Sequence, residues 1–301
     1  MNWLFEPFQH EFMQRALLGC ALVGFTNGFL SAFIVLRRMA LMADALSHSL
    51  LPGLAVGVML FGLASSASLF CGALVAALLV ALGSQLIARS SRVKEETALA
   101  VLFTLAFAAG IVLLKFARVQ VELNHYLFGN ILGLSNSDLW TTYGISFVTL
   151  PLLVLLQRPL FLMLFEPSVA RTQGVPVAFL NYLLVTLLVL AMISSLQAVG
   201  VILALGLLVA PAATVYLFSD SCAALFWGGG LVGLFGSCTG LLVSYWLNLP
   251  AGACIVLLLG LMFFAAYLFS PKYGVLHRFI HGRHLHGESL ARWQDSQGHH
   301  H

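Results

Sequence analysis

The chain has 301 residues, of which 60% are hydrophobic and 8% are charged, and its mean hydropathy is +0.99. A soluble domain carries about 25% charged residues, so this composition excludes a water-soluble globular protein. The net charge of +3 is small, which excludes the concentrated basic face that nucleic-acid binding requires.

Nine apolar runs follow one another along the chain. A hydrocarbon core roughly 30 Å thick is crossed by about 20 helical residues, and the runs at 13–35, 40–61, 66–88, 97–115, 139–157, 177–195, 198–218, 222–246 and 252–270 are long enough. The sequence therefore predicts an all-α integral membrane protein, a polytopic helical bundle of about nine transmembrane helices. Eight remain an alternative if a segment near 116–138 or 198–221 is re-entrant.

The positions of lysine and arginine predict the orientation of this bundle. With the N-terminus outside, 11 of the 14 basic residues fall on the inner side, and only Arg15, Lys115 and Arg118 fall outside. Because cytoplasmic loops are enriched in Lys and Arg, we predict an N-out, C-in topology. We expect residues 1–271 to form the transmembrane domain and 272–301 to form a cytoplasmic tail.

This tail contains seven of the ten histidines, including the terminal His299, His300 and His301. We interpret it as disordered and ending in part of a purification tag. A metal-buffering tail is the alternative.

Two long connections separate the predicted spans. The outer one, 116–138, is expected to contain a short interfacial helix. The inner one, 158–176, carries Pro167 followed by Gly174. Proline suits the first turn of a helix and glycine its end, so this stretch predicts a short helix over about 166–174 on the cytoplasmic face.

One acidic residue and one histidine lie inside an apolar run. Of 11 acidic residues only Asp44 is well inside such a run, and of 10 histidines only His48 is. They are four residues apart, so a helix presents both on one face. An ionisable group in a membrane costs at least about 2.5 kcal/mol on insertion scales and normally lines a cavity or pathway. Carboxylate and imidazole together are ligands for first-row divalent cations.

Three interpretations of this pair stay open: a site for a passing cation, a pair that stabilises the bundle, and a proton relay. Zinc takes about four ligands and manganese about six. Any missing ligands would come from a second copy of the chain, from backbone carbonyls beside Pro52 and Gly53, or from water.

Two common catalytic motifs are absent from the sequence. No lysine ends a G-x-x-x-x-G-K-[ST] phosphate loop, and His10-Glu11 does not continue as H-E-x-x-H. The five cysteines lie in apolar runs without C-x-x-C spacing, as packing residues do. We therefore expect a protein that is not itself an enzyme.

These residues match a known family. Over about 12–271 the chain resembles the permease subunit of bacterial ABC importers for zinc, manganese or iron. The most specific stretch is VLRRMALMADALSHSLLPG at 35–53, which contains Asp44 and His48. YLFGNIL at 126–132, VGVILALGLLVAPAAT at 199–214 and LPAGA at 249–253 match as well.

The resemblance implies a type II ABC importer-like fold in the bacterial cytoplasmic (inner) membrane. It implies a homodimer, or a pair of related permeases, bound to two cytoplasmic ATPase subunits and served by an external metal-binding protein. Asp44 and His48 would lie on the translocation path of a divalent metal (manganese, zinc or iron). That metal is cargo, and no permanently bound cofactor is implied.

The resemblance also assigns roles outside the apolar runs. The 166–174 stretch matches the family's coupling helix, which makes Glu166, Ala170 and Gly174 the residues that couple the permease to the ATPase. His125, in the outer connection, is a further residue that could receive metal, although a solvated loop histidine is the alternative.

Two positions bear on how closely the chain follows the family. Ala43 stands where many relatives have glycine, which bears on helix packing. Pro52 is more typical of manganese and iron permeases than of many zinc permeases.

Two rival functions remain. A type II permease for haem or siderophore cargo has less use for a bare Asp/His pair. An ATP-independent secondary metal or proton transporter would often show internal repeats, which are not clear here.

Overall fold

The computed structural model describes residues 10–61, 66–117, 136–271 and 274. The regular elements in these ranges are twelve helices: α1 (Glu11–Arg37), α2 (Ala40–His48), α3 (Leu51–Phe61), α4 (Ser66–Ser90), α5 (Glu95–Ala117), α6 (Asn136–Leu155), α7 (Gln157–Phe165), α8 (Pro167–Thr172), α9 (Val177–Val199), α10 (Val201–Tyr216), α11 (Cys222–Leu247) and α12 (Ala251–Phe269). His125, the predicted interfacial helix and the histidine-rich tail lie outside the described residues.

The helices give seven membrane spans by length and composition, or eight if α6 and α7 form one span with a 65° bend. In α10 there are 16 residues. At 1.5 Å per residue it is about 24 Å long, shorter than the hydrocarbon core. The prediction of a multi-span helical bundle is therefore confirmed, while the predicted number of nine is not reached by these criteria in the described ranges.

The second predicted span is a broken helix. Ser49 and Leu50 separate the end of α2 at His48 from the start of α3. Pro52 occupies the first turn of α3, where a missing N–H is tolerated. Because proline cannot donate to the carbonyl four residues earlier, the break follows directly after His48.

The inner connection is more helical than the sequence predicts. The nine-residue α7 precedes α8 there and was not predicted. The predicted helix over 166–174 corresponds to the shorter α8, which has Pro167 in its first turn. Gly174 follows with a φ of +76°, and its N–H donates to the Arg171 carbonyl at 3.1 Å. Glycine adopts this left-handed conformation at little steric cost, so it ends the helix.

Close backbone contacts between glycines join α1 to α11. Gly24 faces Gly233 and Gly28 faces Gly229, and a Cβ at any of the four would overlap a facing carbonyl. Small residues at four-residue spacing let membrane helices approach this closely. These pairs therefore hold the backbones of α1 and α11 in direct contact.

Polar side chains tie α1 to α9 and α10. Asn27 Nδ2 donates to Ser195 Oγ at 2.5 Å, and the Ala212 N–H donates to Ser31 Oγ at 3.0 Å. Polar groups in a hydrocarbon medium must find partners within the protein, so these bonds fix α1 as a central element.

A second group of helices surrounds α2. Helices α3, α4 and α5 pack on one another, and α2 contacts α5 together with α10, α4 and α9. Gly53 and Gly72 bring the backbones of α3 and α4 into contact, because a Cβ at either would overlap the other's carbonyl. Helix α5 is mostly exposed in the single chain.

Candidate metal-transport site

The two ionisable residues predicted as metal ligands lie on one face of α2. Met42, Ala43, Ala45 and Leu46 are buried, whereas the Asp44 and His48 side chains remain 57% and 44% exposed. The spacing of four residues brings His48 Nε2 to 3.7 Å from Asp44 Oδ1. The shared face that the sequence predicts is therefore confirmed.

The 3.7 Å separation bears on what the pair can do. It exceeds the usual range of about 2.7–3.2 Å for a hydrogen bond, so the two groups stand at ion-pair distance without a direct hydrogen bond. Two ligands about 2.1 Å from a common ion stand roughly 3.0–3.4 Å apart at octahedral or tetrahedral angles. A side-chain adjustment of a few tenths of an ångström therefore lets both atoms bind one ion.

Helix α5 holds the histidine from the side. The Phe107 ring meets the His48 imidazole edge-on, with centroids 5.5 Å apart and planes at 83°. One turn further, a Cβ at Gly110 would lie 2.8 Å from Pro52 N, so α5 touches the break between α2 and α3. Sequence reasoning missed both residues, because a phenylalanine and a glycine in an apolar helix resemble their neighbours.

The backbone at the break offers a further oxygen. Pro52 has no N–H, so the His48 carbonyl lacks the hydrogen bond that an uninterrupted helix would give it. At the other end of the pair, Ser47 Oγ donates to the Asp44 carbonyl at 2.6 Å. The chain thus presents a carboxylate, an imidazole and a released carbonyl within about one helical turn.

A cavity of about 270 Å³ opens beside Asp44. Arg38 and Phe103 contribute to its walls, and Glu95 and Glu96 line it at the start of α5. A second cavity of about 460 Å³ shares Glu95 and Glu96 and reaches Arg37 and Lys94. The space beside Asp44 therefore extends toward the end of α1 and the start of α5, where both basic and acidic residues lie.

One copy of the chain supplies an incomplete ligand set. Among the residues that the structure describes, no group of three or more His, Cys, Asp or Glu side chains could hold a metal ion. Asp44 and His48 are two side-chain ligands, fewer than the roughly four that zinc takes or the roughly six of manganese. A metal ion at this pair would therefore need ligands from elsewhere.

The predicted coupling residues differ in their surroundings. Ala170 on α8 is fully buried, so its side chain anchors the helix to its own chain. Glu166 and Gly174 are exposed at either end of α8. Phe165 and Val169 are also exposed, at 53% and 40%, and form an apolar surface beside α8 that the sequence reasoning did not single out.

The fold and this site define a multi-span helical membrane protein with an ionisable pair at a broken span, as transport proteins have. The model of the ABC 3 transport family matches residues 9–270. The chain therefore belongs to this family. It is a permease subunit of an ABC transporter rather than its ATPase, and a multi-pass protein of the cytoplasmic membrane.

Relatives and a solved structure agree with this assignment. The manganese transport system membrane protein MntC of Halalkalibacterium halodurans is 40% identical over 279 residues, which is 92% of this chain and 94% of that protein. The chelated iron transport system membrane protein YfeD of Yersinia pestis is 36% identical over 274 residues, 90% and 91% of the two chains. The structure of PsaBC from Streptococcus pneumoniae in complex with Fab has a TM-score of 0.77 at 34% identity, covering 90% of this chain and 96% of that chain.

Proposed function

We propose that this permease imports a divalent transition metal through a path on which Asp44 and His48 are the ligands. The observation that carries the proposal is the pair itself, side by side and half exposed on a broken span. Among the candidate metals, manganese and iron are favoured over zinc, since relatives are named for manganese and for iron. Pro52 also favours manganese and iron over zinc, because it is more typical of manganese and iron permeases.

A second copy of the chain completes the site. An Asp and a His exposed to lipid would cost several kcal/mol, and burial against another polypeptide avoids this cost. Two copies related by a two-fold axis would contribute two carboxylates and two imidazoles, enough for a four-coordinate ion. The released His48 carbonyl, or water, would supply the further oxygens that manganese prefers. We therefore propose a homodimer.

The remaining partners follow from the family. Two cytoplasmic ATPase subunits would bind the exposed side of α8 and the residues just before it, at Phe165, Glu166 and Val169. Ala170 would fix the helix to its own chain, and Gly174 would end it. An external metal-binding protein would deliver the ion on the opposite side. This arrangement requires the N-out, C-in topology, which places α8 on the cytoplasmic side. The number of spans is nine if α6 and α7 form one bent span and α10 also crosses the membrane.

Transport would proceed by alternating access. ATP binding would close the ATPases and shift α8, and rigid-body or hinge motion of the helices would then expose the site to one side at a time. The ion would be held at Asp44 and His48 after losing part of its water shell. Neither residue would form a covalent bond to the cargo.

Uptake of manganese into vesicles containing the assembled transporter tests this proposal. Asp44→Asn and His48→Ala should abolish uptake while the ATPase still copurifies. Asp220→Asn, at a carboxylate between α10 and α11, is the matched control and should transport normally. Normal uptake in both site variants would refute the site.

The same assay separates the rival functions. Uptake by the permease without ATPase subunits or ATP would favour a secondary transporter. ATP-dependent uptake of haem or a siderophore with none of free metal would favour the larger-cargo permease.

A further inference from the structure

Arg89, in the last turn of α4, holds the beginning of α9. Its Nη2 donates to the Ala178 carbonyl at 3.3 Å, and its guanidinium carbon lies 4.3 Å from the centre of the Tyr182 ring. Both partners belong to the first two turns of α9. A planar guanidinium can stack and donate at once, which lysine cannot do equally well.

The part of α9 that Arg89 holds is joined tightly to α8. Only residues 173–176 separate the two helices, and the Val175 N–H donates to the Ala170 carbonyl at 2.9 Å. Ala170 itself is fully buried. A displacement of α8 is therefore passed to the first turn of α9 rather than absorbed by a loose linker.

On its other faces, α4 reaches the elements that position His48. Gly72 of α4 is in backbone contact with Gly53 of α3, five residues after His48. A Cβ at Gly83 of α4 would lie 3.3 Å from the side chain of Leu102 on α5, the helix that carries Phe107. Arg89 thus connects the start of α9, which follows α8, to α4. Helix α4 in turn contacts α3 and α5, the two helices next to His48.

One turn before Arg89, α4 carries a buried polar side chain whose hydrogen-bonding groups have no partner in the part of the chain that the structure describes. Gln85 shares the Arg89 face at a spacing of four residues and is 1% exposed. Neither its Oε1 nor its Nε2 has a hydrogen-bond partner among the described residues. A buried amide without partners weakens the contact around it, which leaves the contacts of Arg89 as the polar attachment of α4 at this end.

We propose that Arg89, seated on Tyr182, is a positioning residue that transmits movement of α8 to α4 and so to Asp44 and His48. This inference rests on the proposed function, because it takes α8 as the surface that the ATPase moves. Loss of the contact between Arg89 and Tyr182 should leave the rate of ATP hydrolysis unchanged but lower the amount of metal transported per ATP hydrolysed. A residue that only stabilised the fold would lower both together.

The experiment measures ATP hydrolysis and manganese uptake in the same vesicles containing the complete transporter. Arg89→Ala should raise the ATP hydrolysed per manganese ion imported by about fivefold, a typical coupling factor, with unchanged recovery of the ATPase. Tyr182→Leu should do the same, whereas Tyr182→Phe keeps the ring and should match the unaltered protein. Arg89→Ala with Tyr182→Leu should be no worse than either change alone. Arg92→Ala, an exposed arginine three residues on, is the matched control.

The inference is overturned if the ratio stays the same in Arg89→Ala and Tyr182→Leu, or if uptake and hydrolysis fall in parallel. Should Arg89→Ala assemble poorly, Tyr182→Leu carries the test, because it retains the arginine. Absence of ATP-dependent uptake by the unaltered complex would instead contradict the proposed function.

Discussion

Replacing Phe107 by leucine tests whether α5 positions the histidine of the site. The Phe107 ring meets the His48 imidazole edge-on at 5.5 Å. Leucine keeps much of the apolar volume and removes the aromatic edge. We therefore expect the imidazole to gain rotational freedom that must be lost again when a metal ion binds.

The size of the effect follows from this contact. An edge-to-face pair contributes about 0.5–1.5 kcal/mol beyond its buried area. Since about 1.4 kcal/mol is a factor of ten in affinity, its loss weakens metal binding by about two- to twelvefold. The manganese concentration for half-maximal uptake should rise by this factor, while the maximal rate stays within about twofold, because the contact acts on binding.

Uptake into vesicles over a range of manganese concentrations measures both quantities. Phe116→Leu on the same helix is the control, because Phe116 is 72% exposed and nine residues beyond Phe107. An unchanged half-maximal concentration in Phe107→Leu, or an equal rise in Phe116→Leu, would refute the positioning role.

Three further substitutions have defined outcomes. Gly233→Leu forces a side chain into the backbone of Gly24 and should destabilise the protein by about 1–3 kcal/mol; a melting temperature equal to that of the unaltered protein would contradict the close packing of α1 and α11. Gly174→Ala places a Cβ at a φ of +76°, costs about 1 kcal/mol, and should lower ATPase recovery on pull-down; full recovery would count against α8 as the docking helix. Pro52→Ala restores an N–H that can bond the His48 carbonyl and should weaken manganese uptake; unchanged uptake would exclude that oxygen as a ligand.

A matched substitution controls the first of these measurements. At Gly144 on α6, no atom beyond the adjacent residues and the helix's own nearby backbone lies within 4 Å of the position that a Cβ would take. Gly144→Leu should therefore leave the melting temperature close to that of the unaltered protein.

The membrane helices are the part of the fold that the sequence predicts best. Each of the nine apolar runs coincides with helix in the described ranges, because backbone groups in lipid must be satisfied within their own segment. The breaks were not predicted. The bend of 65° between α6 and α7 and the interruption before Pro52 both occur near prolines that membrane helices otherwise tolerate.

In the candidate site, too, some residues could be predicted from the sequence and others could not. Asp44 and His48 could be found because each is the one residue of its kind inside an apolar run, and helical spacing brings them together. Phe107 could not be found, since its contact with His48 depends on how α5 packs against α2. The spacing also gave no sign that Ala170 would be buried against its own chain.

Anomalous X-ray scattering from crystals of the assembled transporter soaked in manganese tests the central claim most directly. We predict one peak at the two-fold axis between the two permease copies, within about 2.3 Å of Asp44 Oδ1 and His48 Nε2. A manganese peak elsewhere along the helices, with these two side chains free of metal, would contradict the assignment of Asp44 and His48 as ligands.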